Sequence, residues 1–169
     1  ERMELIDEFK KHDIIINGRP LFWTHTWVTP EWMKAKTYPD LLKYVEKHVR
    51  EVVKFYGDKI QIWEVVNEMH DWANEVRLNH EQSIELTKLA CDVARDTNPN
   101  IKLLINNCIP FGDYVQLGKW HEREAEFPQR TPHQFMKQAV DAGVDFDIIG
   151  YQVYFSNHSA SDVIYNLER

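Results

Sequence analysis

Ile60-Gln61-Ile62-Trp63-Glu64-Val65-Val66-Asn67-Glu68 is the stretch whose reading decides the fold. It is an apolar, β-branched run of strand length that ends in an amide and a carboxyl. Such a run predicts a buried strand over 60–67 that stops at a polar rim. Three more runs of this kind flank it, over 20–25, 101–106 and 146–155. Helical patterns separate them. Residues 1–12 carry Met3, Ile6 and Phe9 on one stripe, and residues 39–56 turn Leu41, Leu42, Val45, Val49 and Val52 inward before Gly57 stops the helix. Asn79 with Gln82 three residues on opens a helix that runs to Thr97. Thr131, Pro132 and Gln134 open another that Gly143 ends, and a last helix is predicted to start near Ser161.

Strands recurring about every 40 residues with one helix between them are the signature of a parallel sheet. Two α/β architectures use that unit, the doubly wound open sheet and the closed (β/α)8 TIM barrel. No glycine-rich phosphate loop follows any of the strands, which removes the main support for a nucleotide-binding sheet. Polar and aromatic residues gather instead at the strands' C-terminal ends: Trp23 and His25, Asn67 and Glu68, Asn106 and Asn107, Gln152 and Tyr154. In a barrel those ends converge on the rim where the chemistry is done. The barrel is therefore the expectation. A whole barrel needs eight strands and roughly 250 residues, so 1–169 reads as an incomplete section of about four βα units belonging to a single catalytic barrel.

Composition narrows the partners. With 20 Lys and Arg against 27 Asp and Glu the net charge is −7, which argues against nucleic acid or an anionic membrane as partner. A neutral polysaccharide is indifferent to that charge, and six Trp and seven Tyr offer flat faces on which sugar rings stack. No apolar run approaches the roughly 20 residues of a membrane span. Cys91 and Cys108 make no disulfide framework or metal pattern and read as buried thiols. The chain opens at Glu1 without an initiator Met, so removal of an N-terminal piece is an open expectation, and so is localisation.

Glycoside hydrolysis needs a carboxylic acid that protonates the departing oxygen, and apolar neighbours favour the protonated form of such a group. Glu68 at the end of a buried strand has the right placement, and Asn67 beside it can hydrogen-bond a sugar hydroxyl near the scissile bond. From the residues alone, an ordinary charged loop residue is an equal reading of Glu68. His70 and Asp71, with His80 and His25, invite a metal hypothesis, but their spacing matches no metal motif, so neither metal nor cofactor is expected. Trp27, Trp32 and Trp72 are candidates for sugar subsites, with core or loop packing an equal alternative for the last two. Glu122, Glu124 and Glu126 read as a solvated charged loop, and Asn157-His158-Ser159 is a formal glycosylation sequon.

Trp63-Glu64-Val65-Val66-Asn67-Glu68 resembles the Trp-Asp-Val-Val-Asn-Glu segment of family 10 glycoside hydrolases, the endo-β-1,4-xylanases. Leu21, Phe22 and Trp23, followed by Pro30 and Trp32, resemble that family's third-strand segment. Residues 102–106 resemble its fifth strand, and Ile149-Gly150-Tyr151-Gln152 its sixth. The four motifs fall in the family's order along nearly the whole chain. The resemblance implies that Glu68 is the acid/base at the end of the fourth barrel strand. It implies substrate contacts from Asn67, Trp23, His25, Gln152 and Tyr154, and favours a secreted protein.

This sequence also departs from the family. Arg19 and Thr24 stand where the family has histidines, two extra residues precede Pro30, and Tyr154 takes the place of a His. The family's nucleophile, a Glu ending the seventh strand, is expected to lie outside this chain, with the rest of the barrel supplied by the same polypeptide or another. A retaining glycosidase acting on xylan or a related hemicellulose is the leading expectation. A carbohydrate-binding pseudoenzyme of the same fold is the alternative, and a barrel without a sugar role a third.

Overall fold

The computed structural model describes residues 1–70, 74–108 and 128–152, together with 115, 118–120, 123–124, 159–161, 164 and 168. Its elements in chain order are α1 (Arg2–Lys11), β1 (Asn17–Gly18), β2 (Phe22–Trp23), α2 (Glu31–Lys34), α3 (Tyr38–Tyr56), a 3-10 turn (Gly57–Lys59), β3 (Ile62–Asn67), α4 (His80–Thr97), β4 (Lys102–Asn107), β5 (Lys119–Trp120), β6 (Arg123–Glu124), α5 (Pro132–Asp141) and β7 (Ile148–Tyr151).

The main sheet is parallel throughout, and its strands follow one another in chain order. Both β1 and β2 pair with β3, β3 with β4, and β4 with β7. A doubly wound sheet reverses its strand order at a switch point. No reversal occurs among the described strands, so the sheet has the layout of a barrel wall with a long helix, α3, α4 or α5, in each crossover. The core lies between sheet and helices. Trp63, Val65, Leu103 and Ile105 from the strands meet Leu41, Val45, Val49 and Val53 of α3 and Leu86, Ala90 and Ala94 of α4.

Local chemistry sets the helices. Thr37 caps α3, accepting from the Asp40 N–H, and Gly57 ends it at φ +51°, a left-handed conformation that glycine adopts without a Cβ clash. The inward stripe of α3 differs by one position from the expectation. Val53 is fully buried, whereas Leu42 and Val52 are only partly buried, because a stripe at i, i+4, i+8 and i+12 from Leu41 reaches Val53. Reciprocal capping boxes hold the first turns of α4 (Asn79 with Gln82) and α5 (Thr131 with Gln134), as the sequence predicts.

The expected strand at 20–25 is corrected. It is broken into β1 and β2, which lie end to end along β3, and His25 falls beyond it. Pro20 sits at the break and has no N–H to give the ladder, while Leu21 N–H resumes the pairing on the Glu64 carbonyl at 2.8 Å. The strand expected over 146–155 begins at Ile148, and 153–158 lie outside the described residues. Glu124 is exposed on the short antiparallel pair β5–β6 rather than in a plain loop, and Glu122 and Glu126 lie outside the described residues. Of the helix expected near Ser161, Ala160, Ser161 and Ile164 are described, all helical. No helix among the described residues is long and apolar enough to cross a membrane.

Candidate active site

The pairing of β3 with β4 slips by one residue between Glu64 and Val66: Glu64 lies opposite Leu104, but Asn67 lies opposite Asn106. A bulge of this kind inserts one residue into the alternation. Leu104 and Asn106 are two apart and share a face, so Glu64 and Asn67, three apart, share it too. Gly150 faces Asn106 from β7, and a Cβ there would lie 2.6 Å from Asn106 Oδ1. Glycine is thus required at 150 for the Asn106 side chain to fit.

Asn67 Oδ1 accepts from Asn106 Nδ2 at 3.0 Å and from Gln152 Nε2 at 3.2 Å. Gln152 Nε2 also donates to Glu68 Oε1 at 2.6 Å, and Trp23 Nε1 donates to Glu68 Oε2 at 3.1 Å. Both carboxylate oxygens of Glu68 are therefore held by uncharged N–H donors, one from β2 beside β3 and one from just past β7, on the far side of β4. Glu68 is buried, its own N–H bonds the Asn106 carbonyl at 2.8 Å, and its backbone is left-handed at φ +55°. A non-glycine residue in that conformation costs of order 1 kcal/mol or more and persists only where its surroundings over-determine it. Here the turn out of β3 aims the carboxyl along the rim rather than outward.

His25 lies against Trp23, ring centroids 4.7 Å apart, and accepts the Trp27 N–H at Nδ1, which leaves the ring proton on Nε2 in the neutral form. Four of the predicted site residues, Trp23, Asn67, Glu68 and Gln152, are thus joined by direct hydrogen bonds, and His25 joins through its ring. Tyr154 lies outside the described residues, as do Asp71 and Trp72. Trp32 is turned away to an edge contact with Tyr44 at 5.1 Å. The histidines of the metal hypothesis go to different partners: His80 to the Pro128 carbonyl at 2.6 Å, His70 to Cys108 Sγ at 3.5 Å, and His25 to the tryptophans. Cys91 and Cys108 are both buried free thiols.

Sequence reasoning left Glu64 and Arg19 without a role. The Glu64 side chain is almost wholly buried on the site's face, with Oε2 meeting Arg19 Nε at 3.1 Å. Burial raises its carboxyl above the usual range, and the Arg19 charge opposes that rise. An acidic residue inside an apolar strand pattern was the available signal. Asn107 behaves differently from Asn106. By strand alternation it belongs to the opposite face, where its amide is fully buried and makes no hydrogen bond. His70 is fully buried against Cys108, and burial, with the Arg130 charge adding to it, pushes its imidazole down to about 3.

Residues 2–169 match the family model described as glycosyl hydrolase family 10. The chain belongs to that family. Family 10 relatives include a β-1,4-xylanase of Dictyoglomus thermophilum, 27% identical over 158 residues, which cover 90% of this chain and 41% of the relative. The endo-1,4-β-xylanase 2 of Claviceps purpurea is 30% identical over 107 residues, covering 61% and 32% of the two chains. A family 10 structure from Paenibacillus barcinonensis superposes on 99% of this chain with a TM-score of 0.74 at 18% identity, and the match takes in 51% of that structure. Xylanase 10C of Cellvibrio japonicus, solved in complex with xylopentaose, superposes with a TM-score of 0.70 at 17% identity, over 98% of this chain and 33% of the other. The family 10 chain here thus spans about half or less of the relatives it matches. The fold is that of a (β/α)8 barrel, present as a partial section.

Proposed function

We propose that residues 1–169 form part of a single catalytic barrel of a retaining glycoside hydrolase acting on β-1,4-xylan or a related hemicellulose. The observation that carries this reading is the setting of Glu68: a buried carboxyl at the C-terminal end of β3, gripped on both oxygens by Trp23 and Gln152 beside Asn67. The xylanase names of its family 10 relatives supply the substrate class. In this reading Glu68 protonates the glycosidic oxygen as the leaving group departs and later takes a proton from the attacking water.

A second carboxylate, about 5–5.5 Å from Glu68, forms the covalent glycosyl-enzyme. It comes with the remaining strands from outside this chain, on the same polypeptide or another. Gln152 and Trp23 fix the direction of the Glu68 carboxyl, so little reorganisation accompanies proton transfer. Asn67 holds a sugar hydroxyl next to the scissile bond, Trp23 walls the pocket, and His25 and Tyr154 help to position the sugar or the nucleophile. The chemistry calls for neither metal nor cofactor, and a polysaccharide or oligosaccharide is the partner. A secreted location suits a polymeric substrate.

The test is Glu68→Gln in the complete polypeptide. Turnover of xylan is expected to fall by roughly 10²–10⁴, with a smaller loss in the first step on aryl xylosides, whose leaving groups need little protonation. Near-normal hydrolysis of xylan by this variant would overturn the assignment. If the parent protein binds xylo-oligosaccharides but cleaves none, the pseudoenzyme reading replaces it.

A further inference from the structure

The row of rings that starts beside Glu68 does not end at Trp23. His25 leans on Trp23, and Trp27 meets His25 edge-on with ring centroids 4.6 Å apart. Trp27 is 85% exposed, the highest value among the exposed large apolar residues described. A loose loop would explain such exposure, but this turn is closed. The His25 carbonyl accepts from Val28 N–H, Thr29 N–H and Thr29 Oγ1 at 2.9–3.0 Å, and the Trp27 N–H is held by His25 Nδ1 at 3.1 Å. Thr26 donates to Glu75 at 2.6 Å, and Glu75 N–H ties back to the Thr24 carbonyl at 3.0 Å. Six hydrogen bonds therefore hold the backbone around a ring that is left in water.

Trp32 makes the contrast. It is 52% exposed, yet it has Tyr44 at its edge and Lys36 over its face. Trp27 has a ring neighbour on the side of the site, and solvent over most of the rest. Among the described residues no Lys or Arg is seated over its ring, in contrast to Trp32 under Lys36. A neutral ligand with an apolar face suits it better than an anion.

We propose that Trp27 is a stacking platform for a further pyranose unit of the glycan whose scissile bond lies at Glu68. The inference rests on the glycanase reading above and adds a subsite to it. The platform is a feature of this chain, because Trp27 lies in the segment between Trp23 and Pro30 that is two residues longer than the family pattern. A β-linked pyranose presents its axial C–H bonds as an apolar face while its hydroxyls point outward to water. An indole fixed beside the site by its own backbone accepts that face with little ordering cost.

The test uses the complete polypeptide and its Trp27→Ala and Trp27→Phe variants, with kcat/KM measured on xylobiose through xylohexaose. The preference for long over short oligosaccharides is expected to drop roughly tenfold in Trp27→Ala and to be largely retained in Trp27→Phe. An unchanged length preference overturns the platform while leaving the glycanase reading intact. If the parent protein hydrolyses none of these substrates, the glycanase reading fails separately. Calorimetric titration of xylohexaose against parent and Trp27→Ala then decides the platform. A loss of affinity in the variant supports it, and equal affinity, or no binding by either, overturns it.

Discussion

The two ends of the same sheet treat charge in opposite ways. At the N-terminal end, where β4 and β7 begin, Arg95 meets Asp145 at 2.8 Å and Asp147 at 2.7 Å, and Lys102 reaches Asp147 at 3.0 Å. Each of these charges faces an opposite one, and the Asp147 carboxyl also accepts the Leu103 N–H at 2.9 Å. At the C-terminal end Glu68 is held by neutral N–H donors, and Glu64 meets the exposed Arg19 and the neutral Asn106 amide. Charges satisfied by opposite charges steady a fold but are poorly placed to exchange protons. A carboxyl fixed by neutral donors keeps its direction without a permanent ion pair. The sheet thus carries the Arg95, Lys102, Asp145 and Asp147 cluster at one end and its candidate acid/base at the other, in keeping with the division of labour in barrels.

The largest effect on stability is expected midway between these ends. Leu103 is fully buried against the helices, and Leu103→Ala should cost about 2–5 kcal/mol in chemical denaturation. A cost below about 1 kcal/mol would mean that the helix-packed core does not hold the two ends together. At the C-terminal end, Asn67→Ala removes the acceptor shared by Asn106 and Gln152. It should cost about 1–3 kcal/mol, the penalty of leaving buried partners unsatisfied, and should lower glycanase turnover in the complete polypeptide. Full activity in that variant would show that the network serves packing alone.

His70 gives the comparison a pH axis. Its imidazole stays neutral in the fold down to about 3, against 6.5 for the free side chain. Below 6.5 the unfolded chain therefore binds a proton that the folded chain refuses, and stability falls as pH drops from 6.5 toward 3. The contribution to the slope approaches about 1.4 kcal/mol per pH unit. His70→Phe should flatten a urea-midpoint profile over that range, and an equally steep profile would place the sensitivity elsewhere.

Asp147 has the smallest expected effect. Burial works to raise its carboxyl, but Arg95, the Leu103 N–H and Lys102 together outweigh that and hold it down at about 2. Its stabilisation is present above 3.8 and is lost as pH falls through about 2. With solvent screening, Asp147→Asn should cost about 1 kcal/mol at neutral pH and leave the length preference for oligosaccharides unaltered. A change in that preference would break the division between the ends.

Much of the frame was legible in the chain itself. Asn79 with Gln82 and Thr131 with Gln134 are three residues apart, and a capping box forms within that reach whatever lies elsewhere. The apolar run that ends in Asn67 and Glu68 likewise placed the candidate acid at a strand end. What pairs with what was not legible. Gln152 reaches Glu68 across 84 positions, and Trp23 reaches it across 45. The break at Pro20 depends on what β3 offers as a partner, and the bulge that turns Glu64 and Asn67 to one face depends on the register with β4. Periodicity and caps are set by neighbours three or four residues away, so the sequence alone determined the longer helices, the β3 and β4 strands and the candidate acid. Register and hydrogen bonding between strands are set by chains brought side by side from different βα units. Only the tertiary structure could therefore decide the carboxyl's direction, the pairing of Glu64 with Arg19 and the exposure of Trp27.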